Sequence, residues 1–417
     1  EDGEILSMLR KTEDGYILFL TNHDRNNSHE VYVHLSSGTR VEELDPMTGN
    51  TETVKTCVSR TGIVFARYFE TGMSRIYFIK EGEPEKTDRI SFPYRHPHYT
   101  DPVLATLGPD AEFRRTMRNV LTIDRCTYKL NNSQESDEME IWKAQKEIRE
   151  KLHMQQVYYN GAPQRYTWIN KDNLNDGTLF SICFKLEILE DITGDNYFVI
   201  EKPYGLKVFF DDEKCERTEE WFVDKEMILF RLPKLIKGEH KITVSGLYDQ
   251  KRELEDVFII GDFAVDLSGK IFKEKDWLHT GDWCMQGYAN YPGSIIYQYK
   301  VPRLISDNRI QLHIGEWSGT LLKVRVNGCD VGLHMEKKNC VTEVQGYFDK
   351  EENLLELEIV GSPRNMFGPF HQAYTGCSRI SWADFRTEGR FHTDGKVLKP
   401  YGIFEQSYIC EYKEEQI

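Results

Sequence analysis

Acidic side chains stand beside aromatic rings at three places in this sequence: Asp282 next to Trp283, Glu316 next to Trp317, and Asp384 two residues from Trp382. A ring face packs on C–H bonds, while a neighbouring carboxylate, amide or guanidinium hydrogen-bonds hydroxyls. Such pairs suit a polyhydroxylated ligand. Hydrolysis of a glycosidic bond would need more, namely two carboxylates flanking the bond at roughly 5 to 10 Å. With 68 acidic residues in the chain, adjacency in sequence does not locate such a pair, and solvated turn carboxylates give the same pattern.

The run from Trp277 to Tyr291 mixes rings, glycines and polar side chains without a strand period, as a binding loop would; rings capping a sandwich core would give the same composition. Arg364-Asn365 and Phe370-His371 flank a turn at Gly368-Pro369 that could present a guanidinium and an imidazole at the end of a sandwich, or serve as a structural turn. The candidate ligand-binding residues are therefore Trp283, Tyr288, Tyr291, Glu316, Trp317, Arg364, Asn365, His371 and Trp382. No residue is assigned a catalytic role. His96-Pro97-His98 and the separate His313, His334 and His392 lack the spacing of a zinc site. Neither Gly-x-Ser-x-Gly nor a phosphate-binding Gly-x-x-x-x-Gly-Lys run occurs.

These side chains must be positioned by more than one domain. A chain of 417 residues exceeds one core, and 39% apolar residues fill roughly two to four. The net charge of −15 disfavours nucleic acid and anionic membrane as partners, and no run approaches the ~18 apolar residues of a membrane span. The nine cysteines (Cys57, Cys126, Cys183, Cys215, Cys284, Cys329, Cys340, Cys377, Cys410) are odd in number and scattered, without a Cys-x-x-Cys pair. That favours free thiols and a cytoplasmic setting over an extracellular one. The N-terminus Glu1-Asp2-Gly3-Glu4 has no initiator Met, as expected of a piece of a longer chain or of a protein freed from a tag.

Alternating apolar and polar residues predict a mainly β protein. Tyr16–Leu20, Val31–Leu35, Gly62–Ala66 and Arg75–Ile79, separated by turn residues, predict a small antiparallel sandwich over residues 1–82. Residues 83–160 read as a linker carrying a helix near 137–153, with Ile141, Ala144, Ile148 and Leu152 on one face after the acidic stretch Glu135-Ser136-Asp137-Glu138. Two copies of one plan follow, in 161–268 and 269–417. Leu206–Asp212 and Lys237–Val244 in the first match Leu322–Gly328 and Glu351–Val360 in the second, each an alternating strand, a tight polar turn, an interval and a second strand. Tandem antiparallel β-sandwiches are the expected fold.

Several of these segments, taken in order, resemble the accessory region of large multi-domain bacterial glycoside hydrolases of the alpha-L-rhamnosidase type and of the beta-galactosidase or beta-glucuronidase group. Leu18–Asn22 with Val41–Gly49 is similar to the sandwich that follows their catalytic barrel. Asn119–Cys126 looks like the linker, Val257–Phe263 like the closing strand of an inserted domain, and Val324–Gly332 with Arg364–His371 like a galactose-binding-like jelly roll. The resemblance implies jelly-roll sandwiches that support a barrel of the same parent chain or bind carbohydrate, and an apolar face on residues 1 to about 160 that the barrel would cover. It also implies that a structural calcium could sit in a loop such as Asp211-Asp212-Glu213 or Asp191 to Asp195; no other cofactor is expected. The eight βα units of a catalytic barrel are absent, so the family's catalytic residues have no positions here. A free-standing lectin-like protein is the alternative, and a hydrolase with its own site between the sandwiches is a third.

Overall fold

The computed structural model describes residues 4–24, 27–36, 40–46, 49–87, 102–157, 166–335, 340–373, 380, 384–385 and 388–412. Half of the chain is strand and 6% is helix, in several antiparallel sheets, as the alternation predicts. In the N-terminal part, Gly15–Asn22, Ser74–Lys80 and Arg40–Leu44 form the middle of one sheet, and His29–Leu35 pairs with Gly62–Phe69 in another. Leu18, Leu20, Val33, Phe65, Phe69, Tyr77 and Ile79 close the core between them. One strand carries no sequence signal. Ile5–Thr12 lies at the sheet edge with seven of its eight residues exposed, Leu6, Met8 and Leu9 among them, so no burial alternation marks it.

The two copies of the repeat are real in three dimensions and larger than their sequence trace. In the first, the strands Thr178–Ile188, Gly238–Tyr248, Lys207–Phe210 and Glu213–Lys214 lie side by side in that order. In the second, Ser294–Pro302, Glu352–Val360, Leu321–Val326 and Cys329–His334 repeat the order. The tight turns match as well: Asp211 and Asp212 have φ of 47° and 73°, and Asn327 and Gly328 have 53° and 84°. Two consecutive left-handed residues give a two-residue turn the twist of its flanking strands, which is why Asn, Asp and Gly occupy it. Each set forms one wall of a sandwich with its own core, Ile182, Phe184, Val208 and Val244 in the first and Ile295, Tyr297, Val324 and Leu357 in the second.

The stretch that reads as a linker is woven into both sandwiches. Val103–Thr106 and Asp110–Arg115 join the two sheets of the C-terminal sandwich, and Asn119–Ile123 and Arg125–Leu130 join the two sheets of the preceding one. The helix spans Ile141–Lys151, with Ile141, Ala144, Ile148 and the following Leu152 buried in the first sandwich core. Chain crossing of this kind removes any independent connector: every residue of Asn119–Ile123 is buried, as is every residue of Val257–Gly261 beside it.

That pair is apolar on both faces because both faces are covered. Leu121, Ile123, Val257 and Ile259 point into the first sandwich, and Val120, Phe258 and Ile260 pack with Met366 from the C-terminal one. Hydrogen bonds seal the joint. Thr122 donates its N–H to Asn290 Oδ1 (3.1 Å) and its hydroxyl to the Met366 carbonyl (2.9 Å), and Asn290 Nδ2 donates to the Asn365 carbonyl (2.7 Å). Asn119, fully buried, donates Nδ2 to the carbonyls of Phe263 (2.7 Å) and Gly287 (2.8 Å) and accepts the Val120 N–H (2.9 Å). Asn119→Ala strands these groups in a dry joint, where each lost partner costs roughly 1–3 kcal/mol. The expected result is a loss of about 3 kcal/mol of stability, read as a lower urea midpoint.

Candidate functional site

Trp283, Tyr288, Tyr291 and Trp317, read from sequence as sugar-stacking rings, are at most 1% exposed and belong to the core of the C-terminal sandwich. They offer no face to a ligand. Trp283 stacks on Tyr401 with ring centroids 5.3 Å apart, and the Tyr291 hydroxyl accepts the N–H groups of Thr116 (2.9 Å) and Met117 (3.1 Å) and donates to the Ser294 carbonyl (2.9 Å). Tyr288 donates to Glu274. The irregular run from Trp277 to Tyr291 is thus the seam between sandwiches, where rings fill the gap that regular strands leave. Asn365 is fully buried and clamps Lys399 through both its amide atoms, and Glu316 lies apart, its carbonyl accepting the Phe404 N–H. Trp382 lies outside the described residues.

Arg364 and His371 do reach cavities, on either side of Pro369, which lines both. The His371 side is the more elaborate. Asp124 sits where the chain crosses between Asn119–Ile123 and Arg125–Leu130, Asp256 immediately precedes Val257–Gly261, and Glu140 and Trp142 open the helix. Strand and helix ends therefore converge on one point between the sandwiches. There, Asp124 Oδ2 meets His371 Nε2 at 2.6 Å and Oδ1 meets Lys396 Nζ at 3.0 Å, and Lys396 also donates to the Thr122 carbonyl (2.7 Å). Glu140 accepts from Lys143 (2.6 Å) and lies 3.1 Å from His392 Nε2.

The charge states follow from the partners. His371 faces the Thr393 carbonyl through Nδ1 (2.9 Å) and a carboxylate through Nε2, two acceptors, so both ring nitrogens must donate and the imidazolium is favoured. Its pKa is raised: burial opposes the charge, and Asp124 outweighs it. For Asp124 burial pushes upward, yet His371 and Lys396 hold the carboxyl down at about 2. Among the described residues Asp256 has no such cation in contact; burial first and the Asp124 charge second push it up to about 7. One carboxylate is locked on, while its neighbour gives up its proton only around pH 7.

The space around this cluster decides what it can do. Around Asp124, Asp256 and His371 the cavity is only about 40 Å³, room for water and not for a sugar ring. Next to it, sharing Trp142, Asp256, Phe367 and Phe385, lies a cleft of about 270 Å³ whose other walls are Glu201, Met227, Glu255 and Phe258. Phe367 stands edge-on to Phe258 with centroids 5.7 Å apart. Rings and carboxyl groups thus face one open space.

No known family model and no curated protein matches the chain. Among solved structures it is similar to a rhamnosidase from Novosphingobium sp. PP1Y at 12% identity and a TM-score of 0.42, over 98% of this chain and 24% of that one. It is similar to a beta-D-mannosidase from Dictyoglomus thermophilum at 9% identity and a TM-score of 0.24, over 58% and 31% of the two chains. A GH2 beta-galacturonidase from Eisenbergiella tayi is similar at 11% identity and a TM-score of 0.19, over 59% and 38%. The chain spans about a quarter of the length of the rhamnosidase.

Asp124, Glu140, Trp142, Asp256, Phe258, Phe367 and Phe385 escape a reading by motif. A signal did exist for two of them: Asp256 borders the wholly apolar run Val257–Gly261 and Asp124 the mostly apolar Val120–Ile123, where an unexplained charge is costly. The loops considered for calcium do not present a converging donor set. Asp211 engages His240, Asp212 engages Lys241 (3.0 Å), Asp191 accepts the Lys237 N–H (2.7 Å) and Asp195 pairs with Arg231 (2.8 Å). Among the described residues, no three His, Cys, Asp or Glu side chains gather as a metal site, no disulfide joins any two cysteines, and no helix is long and apolar enough to cross a membrane.

Proposed function

We propose that this chain is a carbohydrate-binding, non-catalytic accessory portion of a bacterial glycoside hydrolase, with its ligand held in the cleft between the sandwiches. The observation that carries the reading is the cleft itself, in which Trp142, Phe367 and Phe385 supply apolar faces beside the hydrogen-bonding carboxyls of Asp256, Glu201 and Glu255. A few directed polar groups on mostly apolar walls are what orient a small polar ligand. The order of the hydrolase-like motifs along the sequence supports the wider setting, in which the sandwiches also buttress the catalytic barrel of a longer chain.

One observation favours a second reading, hydrolysis in this same cleft. Two neighbouring carboxyl groups whose pKa values are driven apart are the usual arrangement of a general acid and its partner. Against it, Asp124 is held by His371 and Lys396 behind a space too small for a sugar, so it cannot reach an anomeric carbon. A glycan array on the purified chain, with Trp142→Ala beside it, tests both. Binding by the parent chain and a loss of about tenfold or more in the variant are expected, an effect of the size of one lost stacking contact with its burial. Silence across the array would refute the cleft as a sugar site, and release of phenol from aryl glycosides would refute the non-catalytic reading.

A further inference from the structure

The cleft of about 270 Å³ carries a charge that its own walls do not balance. Three carboxyl groups line it, from Glu201, Glu255 and Asp256, and no lysine, arginine or histidine among the described residues does. Glu201 has a partner outside the lining, Lys202 at 2.9 Å. Asp256 has none: among the described residues no donor or cation comes within hydrogen-bonding or ion-pairing distance of it, and Lys396, which acts on it from farther off, is spent on Asp124 at 3.0 Å. The group lies between the sandwiches yet keeps accessible surface, on the small cavity beside Asp124 and on this cleft. A carboxylate without a counter-charge in such a place is costly, and a cation entering the cleft offsets that cost.

The remaining walls favour one kind of cation. Trp142, Phe367 and Phe385 line the cleft and keep ring surface accessible, Phe367 being 36% exposed. The face of an aromatic ring attracts positive charge, most effectively when that charge gives up little water. A primary ammonium is compact and strongly hydrated, whereas a quaternary ammonium spreads its charge over methyl groups that pack on rings. The parts are also held in place. Trp142 is on the helix Ile141–Lys151, and Gln145 Oε1 of that helix accepts the Leu254 N–H (2.6 Å), which ties the Glu255-Asp256 segment to it. Phe367 is set by its edge-on contact with Phe258 and by the Thr122 hydroxyl on the Met366 carbonyl.

We infer that this cleft takes a quaternary ammonium headgroup, with its charge among Asp256, Glu201 and Glu255 and its methyl groups on Trp142, Phe367 and Phe385. The inference rests on the unbalanced carboxyls and the rings and does not require a sugar in the cleft. Calorimetric titration with choline, with its uncharged analogue in which carbon replaces nitrogen, and with ethanolamine tests it at pH 8, above the value of about 7 to which the Asp256 carboxyl is pushed. Choline is expected to bind about tenfold or more tightly than either, because the analogue lacks the charge and ethanolamine gives up more hydration. That advantage should weaken with added salt and shrink severalfold in Asp256→Asn, and choline binding should be lost in Trp142→Ala. Equal binding of the uncharged analogue would overturn it, as would ethanolamine that matches choline, the mark of a merely negative surface, or choline binding unchanged in Asp256→Asn. Should Trp142→Ala fail to fold, the three ligands on the parent chain and on Asp256→Asn still decide. Glucose in the same titration reads the carbohydrate reading separately: choline bound without glucose keeps this inference and sinks that one, and glucose bound without choline does the reverse.

Discussion

Trp283→Ala and Trp317→Ala are each expected to lower the stability of the C-terminal sandwich by about 3–5 kcal/mol, the range for truncating a fully buried large aromatic. Both rings are at most 1% exposed. Trp283 packs against Tyr291 and Tyr401 at centroid separations of 6.2 and 5.3 Å, so its removal opens a cavity among rings that cannot all move inward. Trp317 anchors a two-residue strand against Gly402–Ile403 and donates its indole N–H to Cys340 Sγ at 3.4 Å. The measurement is denaturant unfolding followed by circular dichroism. The transition of the N-terminal sandwich, whose core contains neither tryptophan, should stay in place while that of the C-terminal sandwich moves. Unchanged unfolding with altered sugar binding would place these rings at a ligand after all.

Asp256→Asn is expected to stabilise the chain at pH 8 by about 2–4 kcal/mol and to leave it almost unchanged at pH 4. The native carboxyl is pushed up to about 7 by burial and by the nearby Asp124, against an ordinary value of 3.8. Between those values the unfolded chain has released a proton that the folded chain keeps, so stability falls as pH rises and the penalty is complete above about pH 7. Each pKa unit is worth 1.36 kcal/mol, reduced here because the residue is only partly buried. Asn keeps the shape and removes the charge.

The neighbouring groups act in other senses or other windows. Asp124, held at about 2, contributes stability that is present above the ordinary carboxylate range and is lost as pH falls towards 2. His371, with its raised pKa, contributes stability that is full below its ordinary value and is lost as pH rises through the raised one. Subtracting the variant's pH profile from that of the parent chain removes both and isolates Asp256. Parallel profiles, or a variant that is less stable at pH 8, would show that Asp256 is not a neutral acid in the folded chain.

Local chemistry determined much of this protein within a few residues of sequence. Left-handed turns at Asp211-Asp212 and Asn327-Gly328 need side chains that tolerate positive φ, period-two alternation in Lys207–Phe210 and Leu321–Val326 needs one buried face, and the stripe Ile141, Ala144, Ile148, Leu152 needs one helix face. Each can be read without knowing what lies opposite. The exposed edge strand Ile5–Thr12 could not, because nothing in it is sorted by burial.

Function-bearing positions depended on the opposite element. An aromatic beside an acid looks the same whether it caps a core or faces a ligand, and only the packing of the seam placed Trp283, Tyr288, Tyr291 and Trp317 inside. Asp124 and His371, 247 residues apart, acquire their charges from one another, and Asp256 acquires its raised pKa from a wall that neither sandwich completes by itself. Turn and strand preferences are properties of a residue and its immediate neighbours. A cavity, a buried charge and a shifted pKa are properties of distant segments brought together, so they were decided by the tertiary structure alone.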